Sequence, residues 1–177
     1  DLKMRNYITL SKGETSRTLV TAYTINVNSD NNRAIVLDEA SNGSTFTNKG
    51  NINLTGSKNV ALDIQGTHGS TQMTFTVVNE GNITGIKSNE STKNQVAFGF
   101  NNPDASTSTT LTNMINKGNI TLNSDESAGM QLKPEDFHNW EPSNWSGAPI
   151  KIDTVKPDAT RGKVAMRAIN EKNININ

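Results

Sequence analysis

Apolar and polar residues alternate with a period of two along much of this 177-residue chain. The stretch 48–64 shows the pattern best: Ile52 and Leu54 alternate with Asn51, Asn53 and Thr55, and after a polar turn Val60, Leu62 and Ile64 alternate again. A period of two puts every second side chain on one face, which predicts short strands and not helices. The unit recurs. Asn48-Lys49-Gly50-Asn51-Ile52 returns as Asn79-Glu80-Gly81-Asn82-Ile83, as Asn116-Lys117-Gly118-Asn119-Ile120 and, imperfectly, as Asn170-Glu171-Lys172-Asn173-Ile174. A second apolar run follows each of the first three copies, at 60–64, 96–100 and 128–132.

The opening Asn recurs after 31 residues (48 to 79), 37 (79 to 116) and 54 (116 to 170). Self-similarity at roughly 20–50 residues marks a solenoid, in which each repeat buries its apolar side only against its neighbours. About three short strands with their turns fill ~31 residues, the content of one coil of a parallel β-helix. The drift in spacing is then extra loop at the corners, where a solenoid absorbs insertions. This arrangement predicts that Ile52, Ile83 and Ile120 lie one above another. Gly50, Gly81 and Gly118 are expected to supply a positive-φ turn at a fixed corner. Asn48, Asn79 and Asn116 are expected to stack there as a hydrogen-bonded ladder.

Four stretches follow from the pattern. Residues 1–37 read as irregular N-terminal coils, in which 21–28 is the clearest strand, with Tyr23, Ile25 and Val27 on one face. Residues 38–132 are the regular repeats. Residues 133–161 break the alternation with Pro134, Pro142, Pro149 and Pro157 and read as an irregular loop insertion. Residues 162–177 resume the repeat. The fold class is all-β.

Composition narrows the functional classes. Hydrophobic residues make up only 32% of the chain, yet their regular placement suits the narrow inward stripe of a β-helix and argues against disorder. The formal net charge is zero and no Lys/Arg cluster stands out, so neither a nucleic acid nor an anionic membrane is an expected partner. No apolar run approaches the ~18 residues of a membrane span. Cysteine is absent, which excludes disulfides, thiolate metal sites and thiol catalysis.

Catalytic and metal-binding patterns are weak. Asp38, Asp63, Asp104 and Asp125 share no spacing, and His68 and His138 are far apart, so no metal or other cofactor is expected. Some β-helices cleave polysaccharides with acidic residues from neighbouring coils in one groove. Here Asp63 has outward parity, but the aligned positions, Gly99 or Phe98 and Gln131, offer no second carboxylate. The chain is therefore read as a non-enzyme. Six Asn-x-Ser/Thr sequons occur, and those at Asn53, Asn82 and Asn119 fall in or beside predicted strands. The sharpest candidate for ligand binding is the aromatic loop, with Phe137, His138, Trp140 and Trp145. Exposed Trp marks recognition patches and sugar-stacking platforms. The alternative is that these rings fold back to cover the side of the solenoid.

The repeated Asn-Lys-Gly-Asn-Ile-x-Leu, a polar turn and then Val/Ala-Gly/Ala-Leu/Met-x-Ile/Leu resembles the passenger repeats of type V autotransporters, in particular the large Asn- and Lys-rich adhesins of fusobacterial type. The likeness covers about 25–132 and 164–177 and is absent from 133–161. It implies a right-handed parallel β-helix, a segment of a longer passenger displayed at the cell surface by an outer-membrane β-barrel translocator outside this segment. It further implies attachment to a protein or glycan on host or other bacterial cells. A polysaccharide-cleaving lyase or hydrolase on the same fold, and a purely structural spacer, are the alternatives. Strand edges at the two ends are expected to favour end-to-end self-association of this segment.

Overall fold

The computed structural model describes residues 3–10, 16–40, 43–65, 73–101, 110–132 and 165–177. Fifteen strands and no helix make up these residues. They fall into triplets: β1 (Arg5–Leu10), β2 (Thr18–Thr21) and β3 (Ile25–Val27); β4 (Arg33–Ala40), β5 (Ser44–Asn48) and β6 (Ile52–Thr55); β7 (Asn59–Gln65), β8 (Met73–Asn79) and β9 (Ile83–Ile86); β10 (Gln95–Asn101), β11 (Thr110–Asn116) and β12 (Ile120–Leu122); β13 (Ala128–Leu132), β14 (Ala165–Asn170) and β15 (Ile174–Ile176). Each triplet is one coil. Successive coils pair in parallel to give three five-stranded sheets: A (β1-β4-β7-β10-β13), B (β2-β5-β8-β11-β14) and C (β3-β6-β9-β12-β15). The chain is a parallel β-helix. At ~4.8 Å per rung, five coils span about 24 Å along the axis.

Register confirms the layering. Ile25, Ile52, Ile83, Ile120 and Ile174 pair in one column of sheet C. Beside it run Val27, Leu54, Gly85, Leu122 and Ile176. The facing columns are Ile35-Leu62-Phe98-Met130 in sheet A and Leu19-Phe46-Val77-Met114-Ala168 in sheet B. Most of these side chains form one buried core. Sheets B and C alternate as the sequence predicts, whereas the described side chains of β7 and β10 are buried on both faces of sheet A. That explains the nearly continuous apolar runs Val60-Ala61-Leu62 and Val96-Ala97-Phe98, which are typical of doubly covered parallel strands.

One hole in the core is filled from elsewhere. Gly85 stands where the neighbouring coils carry Leu54 and Leu122, and a Cβ there would meet Gln95 Oε1 at 2.1 Å. The fully buried Gln95 side chain thus occupies the missing leucine's space. Its Nε2 donates to the carbonyls of Leu54, Gly56 and Ile86, each at 3.0 Å, and Ser124 Oγ donates to its Oε1 at 2.9 Å. A buried amide so satisfied costs little, and an unsatisfied one would cost about 1–3 kcal/mol.

The run 21–28 is not one strand. It bends at 22–24, so Ile25 and Val27 are buried while Tyr23 sits on the corner, 52% exposed. The alternation of apolar residues continues through this bend, which is why the sequence hides it.

Candidate functional site

The three corners of the rod differ in kind. Between sheets B and C every connection has the same three-residue length: 22–24, 49–51, 80–82, 117–119 and 171–173. Between C and A the connections run 28–32, 56–58, 87–94 and 123–127. Between A and B they run 11–17, 41–43, 66–72, 102–109 and 133–164, and this corner carries the largest share of the drift in repeat length.

The constant corner is constant because it is packed. Asn48 Nδ2 donates to Asn79 Oδ1 at 2.9 Å, Asn79 Nδ2 to Asn116 Oδ1 at 3.0 Å, and Asn116 Nδ2 to Asn170 Oδ1 at 2.8 Å. Each amide nitrogen also donates to a carbonyl two residues on, at Gly50, Gly81, Gly118 and Lys172. Asn48, Asn79 and Asn116 are buried, so the ladder is shielded from water. It has a defined foot. Thr21 occupies the equivalent place in the first coil, and both Thr21 Oγ1 and Asn48 Oδ1 are buried without a partner.

The expected positive-φ turn at Gly50, Gly81 and Gly118 is corrected by the structure. Positive φ among glycines is confined, among the described residues, to Gly43 and Gly56. The corner glycines are required by close approach: a Cβ would lie 2.0 Å from a carbonyl oxygen of the coil before, Tyr23 O for Gly50, Gly50 O for Gly81 and Gly81 O for Gly118. The left-handed turn lies instead at the C–A corner. Asn31, Lys58, Asn94 and Glu126 occupy it in successive coils with φ of 59°, 58°, 63° and 55°. A non-glycine residue there costs roughly 1–2 kcal/mol, less for Asn.

Outward-facing groups are the remaining candidates. Asp63 is not an open carboxylate: Arg33 Nε lies 3.0 Å from Asp63 Oδ2, and both side chains are buried. Asp63 pairs in register with Val36 and Gly99, and Gly99 with Gln131, so this column carries no second acid. Among the described residues no three His, Asp or Glu side chains gather closely enough to hold a metal ion. Lys49 Nζ lies 3.6 Å from Glu80 Oε2 on the outside of the B–C corner, an exposed pair of small energetic weight.

Sheet C presents a different kind of face. Its central outward column is Asn26-Asn53-Thr84-Thr121-Asn175. The flanking positions are 24, a Thr, with 51, 82, 119 and 173, all Asn, and 28, 55, 86, 123 and 177, which are Asn, Thr, Ile, Asn and Asn. In the sequence Asn53, Asn82 and Asn119 stand out only as sequons. The signal that distinguishes them is the second Asn of each repeat opening, read together with the polar residue two places on.

Of the residues singled out from the sequence, the structure brings Asn48, Asn79 and Asn116 together with Gly50, Gly81 and Gly118 at one corner. Phe137, His138, Trp140 and Trp145 lie outside the described residues. No protein-family model, curated protein or solved structure matches this chain.

Proposed function

We propose that the chain is a rigid display scaffold of a bacterial surface adhesin, holding recognition loops for a protein or glycan on host or other bacterial cells. The observation that carries this reading is the division of labour between corners. The B–C corner keeps one length in all five coils, and the Asn ladder and the glycine contacts repeat there through the middle coils. The A–B corner takes connections from 41–43 up to 133–164 without losing strand register on either side. A solenoid built this way admits chain of variable length between two of its sheets, the usual placement of function on an invariant scaffold. The repeat's resemblance to autotransporter passengers supports the cell surface as its location and an outer-membrane β-barrel as its exporter. A carboxylate-based cleavage reading has no comparable support, since the Asp63 carboxylate is engaged by Arg33.

Removing residues 137–145 tests the proposal. The far-UV circular dichroism of the β-helix is expected to persist, while binding to epithelial cells, bacteria or an arrayed glycan set is lost. Binding at wild-type level after the deletion would sink the role of this loop, and no binding by either protein would leave a structural spacer.

A further inference from the structure

The outer face of sheet C differs from the rest of the surface in its composition. Of its fifteen outward positions, fourteen are Asn or Thr and the other is Ile86. None is charged, in a chain that is 19% Asp, Glu, Lys and Arg. The depletion excludes most classes of partner. Nucleic acids and anionic membranes require basic groups, and metals require converging carboxylates or imidazoles. Protein interfaces concentrate binding energy in Trp, Tyr and Arg at an apolar centre, and this face has none of these.

What remains is dense and neutral hydrogen-bonding capacity on a plane. Each Asn amide offers two donors and an acceptor, and each Thr hydroxyl offers both roles. Some of this capacity is spent along the axis: Asn53 Nδ2 donates to Asn26 Oδ1 at 2.8 Å and Asn177 Nδ2 to Asn123 Oδ1 at 2.7 Å. The side chains of Asn82, Asn119, Thr84 and Thr121, in the middle of the face, make no hydrogen bond within the described residues. They recur every ~4.8 Å along the rod and about 6.8 Å apart along each strand.

We propose that this face docks an extended, uncharged polysaccharide, whose repeating hydroxyls bond the free amides and hydroxyls directly or through water. Single contacts of this kind are weak, and a periodic ligand on a periodic face gains strength by engaging several rungs at once.

Co-sedimentation with insoluble cellulose, chitin and β-1,3-glucan tests the proposal, with polygalacturonate gel as the anionic control. The intact chain should be retained by at least one neutral polymer and not by the anionic gel. The double variant Thr84→Lys/Thr121→Glu should lower the retained fraction at least ten-fold with unchanged far-UV circular dichroism. Asn82→Ala/Asn119→Ala is the second variant should the first misfold. Deleting residues 137–145 should leave this retention intact, which separates it from the loop reading. Failure to bind every neutral polymer, or equal binding by the variants, would overturn the proposal. So would concentration-dependent self-association that the variants abolish, which would assign the face to a second copy of the chain.

Discussion

Replacing Asn79 by Ala removes the middle rung of the buried ladder. The substitution deletes three hydrogen bonds: from Asn48 Nδ2 at 2.9 Å, to Asn116 Oδ1 at 3.0 Å and to Gly81 O at 2.8 Å. Asn48 Nδ2 keeps its bond to Gly50 O, and Asn116 Oδ1 still accepts from Gly118 N at 3.2 Å, so two of the three partners are only partly orphaned. At roughly 1 kcal/mol of net stability per buried bond, the expected loss is about 3 kcal/mol. For a chain of this size that corresponds to a fall in Tm of roughly 6–12 °C. Asn170 is the control. It accepts the last bond of the ladder, at 2.8 Å, but is only partly buried, so water replaces what Ala removes and the loss should stay near 1 kcal/mol or below. Urea titrations of both variants, followed by circular dichroism, give the comparison. A smaller slope for Asn79→Ala would show that the coils on either side have begun to unfold separately, as nearest-neighbour coupling allows. Equal stabilities for Asn79→Ala and Asn170→Ala, or an Asn79→Ala loss under about 0.5 kcal/mol, would refute burial of the ladder as a source of stability.

The other expectations concern the same corner. Gly81→Ala places a methyl group 2.0 Å from Gly50 O, so the two coils must part by about 1 Å; the variant should lose several kcal/mol and expose its core to a dye such as ANS, whereas a glycine needed only for its dihedral would cost about 1 kcal/mol on the same substitution. Thr21→Asn extends the ladder downward by supplying a donor to the unpartnered Asn48 Oδ1, and should raise Tm by roughly 2–4 °C; an unchanged or lower Tm would show that the first coil cannot seat the rung.

The two kinds of glycine show where sequence reasoning runs out. A glycine in a sequence reports that a Cβ is missing, but not whether the backbone angle or a neighbouring coil forbids it. At Gly50, Gly81 and Gly118 the neighbour forbids it, and that neighbour is 27 to 37 residues away in the chain. The left-handed corner was invisible for the opposite reason. Asn31 and Asn94 suit this conformation, but Lys58 and Glu126 do not, so the four positions share no one residue type and the stacked coils impose the strain on the other two. The Gly85–Gln95 exchange is likewise unreadable in one dimension, since the missing volume and the side chain that fills it sit on strands of different sheets.

The sequence by itself determined the vertical register of the repeat openings and the strands that follow them, though not the bend at 22–24, because a two-residue alternation and a repeated Asn-x-Gly-Asn are local facts that any stacked arrangement must respect. Ile52, Ile83 and Ile120 had to share a column once the repeat openings were aligned. Only the tertiary structure decided which corner tolerates insertion, which face is charge-free, and that Asp63 is neutralised by Arg33 thirty residues earlier. Those outcomes depend on contacts between successive coils. Their strength is set by distances across the ~4.8 Å gap, and spacing along the chain does not encode them.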